Sequence, residues 1–145
     1  MRINVVIIAG SALLILVVWS AAVCPGLYSH LPLSAQVAMY GWRLRILPFP
    51  SESARSSIAH HGLEAAETLA TDLNREQPTL LPSESAYILA MIQQRGTSLR
   101  NSTADRSLRR FLSSKRATKA DVIAGQFALD QIENDVKLPP SLQPR

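Results

Sequence analysis

Residues 51–74, SESARSSIAHHGLEAAETLATDLN, decide the class of this chain. On a wheel of 3.6 residues per turn, Ile58, Gly62, Ala65, Ala66, Leu69 and Leu73 form one stripe, with Leu63 and Ala70 at its edge. His60, Glu64, Glu67 and Thr71 take the opposite face. Pro50 precedes Ser51, whose hydroxyl suits an N-cap, and Glu52 suits the positive end of the first turn. The pattern predicts an amphipathic helix packed on its Ala-rich side. Gly62 weakens its middle and marks the place where it would break in two.

Helical patterning continues toward the C-terminus. Pro78 and Pro82 bound a turn, after which Tyr87, Ile88, Leu89, Met91 and Ile92 spread around most of a helix that runs to Arg95. Tyr87, Ile88, Met91 and Ile92 mark it as an apolar contact helix, central to the core or facing a partner if left uncovered. Gly96 is its stop signal. Ser102 with Asp105, and Thr118 with Asp121, have capping-box spacing. The first opens a helix to about Ser114 with Leu108, Phe111 and Leu112 on its apolar side. The second opens a helix to about Val136, with Val122, Gln126, Leu129, Ile132 and Val136 near one stripe and Ile123 and Phe127 beside it. Pro139 and Pro140 then stop the chain, and 138–145 is expected to be a disordered tail.

The N-terminal direction reads differently. Residues 5–24, VVIIAGSALLILVVWSAAVC, carry no charge, and as a helix they would rise about 30 Å, the hydrocarbon thickness of a bilayer. They predict a transmembrane anchor over 1–24, built on Val5, Ile8, Leu13, Leu14, Leu16, Val18 and Trp19. Arg2 lies before this stretch and the next arginine is Arg43, which predicts a cytoplasmic N-terminus and a periplasmic C-terminal domain. The small residues Ser20, Ala21 and Ala22 allow an alternative, a signal peptide cleaved after Ala22. Residues 25–50 read as a juxtamembrane segment. Within it Trp42, Leu44 and Ile46 alternate with Arg43 and Arg45, the period of a short strand at 42–47. The expected fold class is therefore mostly α: a single N-terminal transmembrane helix, then a small domain over 51–137 of three or four helices in short antiparallel pairs.

Charge is arranged in blocks within a chain of 145 residues and net charge +4. Acids dominate 51–94, where Glu52, Glu64, Glu67, Asp72, Glu76 and Glu84 meet Arg55 and Arg75. Between 95 and 119 Asp105 stands alone against eight bases. Arg106, Arg109, Arg110, Phe111, Lys115 and Arg116 form the candidate interaction surface of this basic stretch. Anionic lipid headgroups or an acidic partner would suit it. Nucleic acid is not expected, since Phe111 is the stretch's lone stacking residue. His60, Glu64 and Glu67 have metal-like helical spacing, but the wheel turns them away from other helices that could complete a site. Cys24 is the single cysteine, which excludes an intrachain disulfide. Neither a nucleophile elbow nor a phosphate-cradling glycine loop is present, so the sequence names no catalytic residue, metal ligand or cofactor. These features together predict a membrane-anchored structural or interaction subunit, with other membrane protein subunits as partners. The alternative is an exported soluble periplasmic binding module, released by cleavage after Ala22.

Overall fold

The computed structural model describes residues 28–47, 49–139 and 142. Six helices organise them: α1 Leu33–Ile46, α2 Glu52–Ala59, α3 Leu63–Leu73, α4 Pro82–Gln94, α5 Thr103–Leu112 and α6 Lys119–Glu133. Side chains define three of the starts. The Ser51 hydroxyl accepts from the Ala54 N–H, Ser102 from Asp105, and Thr118 from Asp121. At α6 the Asp121 carboxylate returns the bond by accepting from the Thr118 N–H, which completes a capping box. Each cap satisfies an N–H that the helix itself cannot. The break between α2 and α3 falls at Gly62, whose φ of +56° lies in the left-handed region that a Cβ disfavours.

Alternate helices lie side by side in two layers. α2, α4 and α6 make one layer and α3 and α5 the other; α3 also meets α4, α5 meets α6, and α1 lies along α2. α4 is the central member, with Ile88, Leu89, Ala90, Met91 and Ile92 all buried. The core is one continuous cluster that reaches from Leu33, Val37 and Tyr40 on α1 to Ala124, Ala128 and Ile132 on α6. α6 presses its small residues inward: Ala124, Gly125, Ala128, Leu129 and Ile132 are buried, whereas Val122 and Gln126 are exposed. The stripe expected for the last helix is thus rotated, because small residues let α6 approach α4 and α5 closely.

This architecture corrects the expected fold class. Six helices replace three or four, and residues 42–47 are not a strand: Trp42 to Ile46 complete α1. The period-two reading failed because it used too short a window. Leu33, Val37, Tyr40, Gly41 and Leu44 recur at helical spacing and form the buried face. The helical domain accordingly begins well before residue 51.

No helix among the described residues is long and apolar enough to cross a membrane. The longest, α6, has 15 residues, about 22 Å against the roughly 30 Å a span requires. The anchor expected at Val5, Ile8, Leu13, Leu14, Leu16, Val18 and Trp19 lies outside the described residues, as does the cleavage site after Ala22. With no described helix able to span a bilayer, the single-pass topology with a periplasmic C-terminal domain is set aside. So is the membrane-anchored subunit reading, with its membrane protein partners.

Candidate interaction face

Three large side chains, one from each helix of the α2–α4–α6 layer, form a row in which Arg55 and Tyr87 are partly buried and Phe127 is exposed. The Arg55 guanidinium of α2 sits over the Tyr87 ring of α4, 4.9 Å from its centroid. The Tyr87 and Phe127 rings are 6.0 Å apart at 47°, a tilted aromatic pair that joins α4 to α6. Ile123, one turn before Phe127, continues the apolar surface along α6. Ile123 is 60 % exposed and Phe127 42 %, large fractions for side chains of their size.

A buried polar cluster fixes this row from below. Arg55 donates from Nε and Nη2 to the two carboxylate oxygens of Glu84, at 2.7 and 2.6 Å, a bidentate pair. The Tyr40 hydroxyl of α1 donates to Glu84 Oε2 at 2.7 Å and accepts from the Ser51 N–H at 3.2 Å. Burial, then the bond to Glu84, pushes the Tyr40 phenol up to about 12. The Glu84 bond also holds the Arg55 guanidinium above its ordinary value, against the opposing effect of burial. One carboxylate in the first turn of α4 therefore ties together α1, α2 and α4 and sets the plane of the guanidinium against Tyr87.

Further along the same layer Gln94 of α4 donates to Gln131 of α6, and the Leu138 N–H donates to the Gln94 carbonyl, which lays the C-terminal segment across the end of α4. Arg95 reaches back to the Ser56 carbonyl of α2 and to His60 at its C-cap. Desolvation lowers the Arg95 pKa from its ordinary value.

The side chains singled out by sequence are distributed otherwise. Ile88, Met91 and Ile92 are core residues, and Tyr87 is the member of that set that reaches the layer's outer face. The basic surface is taken up in part by bonds within the fold. Phe111 is buried and cannot enter a lipid layer. Arg109 bonds Asp105 and Glu133, each at 2.7 Å; Glu133 first and Asp105 second hold its guanidinium above its usual value. Arg106 bonds the Asn101 carbonyl. Arg116 bonds the Arg75 carbonyl and lies over the Phe111 ring. Arg106, Arg110, Lys115 and Arg116 remain exposed, with no ion pair to a described residue. The ring among these cations is buried, so they lack the exposed apolar side that an amphipathic headgroup-binding surface needs, and the anionic-lipid assignment is corrected here as well.

His60, Glu64 and Glu67 do not converge. His60 faces Arg95, Glu64 lies 3.9 Å from His61, and Glu67 lines a shallow cleft of about 230 Å³ with Leu63, Ser102, Thr103 and Arg106. Among the described residues no group of three or more His, Cys, Asp or Glu is placed to hold a metal. Sequence reasoning missed the Tyr40–Glu84–Arg55 cluster, because its members are 15 and 29 residues apart and belong to three helices. A signal for the exposed pair did exist. Ala124, Gly125 and Ala128 at close helical spacing claim the packed side of α6, and that turns Ile123 and Phe127 outward. No protein-family model, curated protein or solved structure matches this chain, so the geometry alone carries the functional reading.

Proposed function

We propose that the described domain is a binding module that holds a polypeptide segment across the α2–α4–α6 layer. The observation that carries this reading is the row Arg55–Tyr87–Phe127, with Ile123 beside it, running transversely over three adjacent helices. Stacks of helices present such rows to partners, because side chains from neighbouring helices line up at the helix spacing. Helices pack about 8–10 Å apart, so the row suits about six residues of extended chain at about 3.3 Å each. An exposed aromatic and an exposed aliphatic residue on a surface already ordered by Arg55 and Glu84 lose little freedom when a partner covers them. Of the two sequence-level readings, the binding module is the one this supports, since residues 28–138 close a core of their own.

The test is an array of ten-residue peptides probed with the wild-type chain, Phe127→Asp and Gln126→Asp. Peptides rich in apolar residues should bind the wild type and the Gln126 variant alike, and lose at least about tenfold in affinity with Phe127→Asp. If no peptide's binding depends on Phe127, the reading fails.

A further inference from the structure

A second surface stands apart from that row, at the other end of the stack. α1 packs along α2, and its inward face consists of Leu33, Gln36, Val37, Tyr40, Gly41 and Leu44. Its opposite side repeats Ala35, Met39, Trp42 and Ile46 at spacings of four, three and four, one stripe of a helix. Trp42 is 47 % and Ile46 56 % exposed, and Leu47 and Phe49 extend the apolar run past the helix end, both exposed.

The charges beside this stripe define what fits it. At 100° per residue Arg45 falls to one side of Trp42 and Ile46, and Arg43 falls to the other. α1 contains no acidic residue, and neither arginine forms an ion pair with a described residue. An apolar seam with a cation on each flank is half of a helix–helix interface. In such pairs, flanking carboxylates on the facing helix set partner choice. Pairing with α1 of a second copy would set arginines against arginines.

We propose that the outer face of α1 docks an amphipathic helix of a partner protein, with its apolar seam flanked on both sides by Asp or Glu. The 14 residues of α1 are about 21 Å long, so the partner helix matches it with about four turns. Trp42 and Ile46, with the part of Met39 that the core leaves uncovered, supply the buried seam, and Arg43 and Arg45 select the charge.

The experiment uses the full chain and two synthetic helical peptides of three heptads. Both carry Leu at a and d; one has Glu at every e and g, the other Lys. Binding is read by anisotropy of the labelled peptide at low salt, and by Trp42 emission in a Trp19→Phe background. The Glu peptide should bind at least about tenfold tighter than the Lys peptide. Trp42→Gln with Ile46→Gln should weaken it by a similar factor, while Gln126→Asp leaves it unchanged. Arg43→Glu with Arg45→Glu should reverse the order of the two peptides, a gain of binding that a misfolded variant could not show. Equal affinity for the two peptides overturns the proposal, as does an order that survives the arginine reversal. So do three findings that assign the face elsewhere: self-association lost with Trp42→Gln, adsorption to anionic vesicles with no peptide preference, or peptide binding that appears only after residues 1–27 are removed.

Discussion

α1 and α6 lie at opposite ends of the stack and are built differently. α6 packs through small apolar residues and turns a mixed face outward, with Lys119, Gln126, Asp130 and Glu133 beside Val122, Ile123 and Phe127. α1 joins its neighbours through buried polar groups as well as Leu33, Val37 and Leu44, and turns Trp42 and Ile46 outward. Gln36, fully buried, donates to the Leu31 carbonyl, accepts from Ser57 and meets His61 Nε2 at 3.1 Å. Tyr40 reaches Glu84. The end members of a stack of helices need polar outer faces to stay soluble. Neither end of this one is wholly polar, and the two differ in charge: α6 carries Lys119, Asp130 and Glu133 on its outer face, charges of both signs, whereas α1 carries arginines alone. The difference teaches that burial alone does not reveal what an end helix is suited to meet: both bury one face and leave apolar side chains on the other, and the charges beside those side chains separate them.

Removing the carboxylate that attaches α1 should break the contrast most severely. Glu84→Ala leaves the Arg55 guanidinium and the Tyr40 hydroxyl without their shared acceptor, in a site where the Glu84 side chain is 7 % exposed. Truncating one partner of a buried ion pair costs about 3–5 kcal/mol. A urea titration should show that loss, with the Phe127 peptide contacts weakened as well, because the plane of Arg55 beneath Tyr87 is no longer set. A loss under about 1 kcal/mol would mean that the apolar contacts of Leu33, Val37 and Leu44 hold α1 unaided.

The two glycines that face neighbouring elements separate the ends next. A Cβ at Gly41 of α1 would stand 2.2 Å from the Thr79 carbonyl oxygen, a backbone atom of the loop before α4. That loop is pinned by the Asp72 carboxylate, which accepts from the Thr79 and Leu80 N–H groups. A Cβ at Gly125 of α6 would meet the Leu112 methyl carbons at 2.6 Å, the far end of a side chain with other rotamers. Gly41→Ala should therefore cost about 3 kcal/mol by overpacking. Gly125→Ala should stay within about 1 kcal/mol of wild type, because the roughly 1 kcal/mol gained in helix propensity offsets the displacement of Leu112. Equal shifts of the two denaturation midpoints would remove the distinction between a polar, backbone-limited seat and an adaptable apolar one.

Local signals in the sequence marked much of this arrangement, and long-range ones did not. The caps at Ser51, Ser102 and Thr118 were legible because a cap depends on residues three apart. The break at Gly62 was legible because it depends on one residue. The helix over 33–46 was hidden by the alternation of Trp42, Arg43, Leu44, Arg45 and Ile46, in which a flanked apolar stripe on a helix imitates the period of a strand. The internal bonds of the basic stretch were hidden for a related reason. A count of arginines between 95 and 119 cannot register that Arg109 and Arg116 meet groups on distant elements, Glu133 and the Arg75 carbonyl. Nor can any local pattern announce that Glu84, an ordinary first-turn acid, accepts bonds from two other helices.

Alkali should sharpen the comparison last, with the smallest effect. The Tyr40 phenol, raised mainly by burial and then by its bond to Glu84, titrates at about 12 in the fold and at 10.0 as the unperturbed group. The folded state keeps its proton longer than the unfolded chain. The stabilisation is therefore complete below pH 10 and is lost as the pH rises from about 10 to about 12. The loss amounts to about 2 kcal/mol, allowing for some relaxation at about 1.4 kcal/mol per unit. Tyr28, also raised by burial, contributes in the same direction, so Tyr40→Phe is the necessary control. The alkaline loss of urea stability should be clearly smaller in that variant than in the wild type. Trp42 lies on the helix that Tyr40 attaches, whereas α6 is held by apolar contacts, by Asp121 accepting from the Ser83 N–H and by the Arg109–Glu133 pair. In a Trp19→Phe background the Trp42 emission should shift at lower pH than the helical circular dichroism is lost. Parallel stability curves for the wild type and Tyr40→Phe would show that the phenol does not govern the attachment of α1. Coincident optical transitions would show that the two ends unfold as one unit, in which case their different chemistry shapes the surface without dividing the stability of the fold.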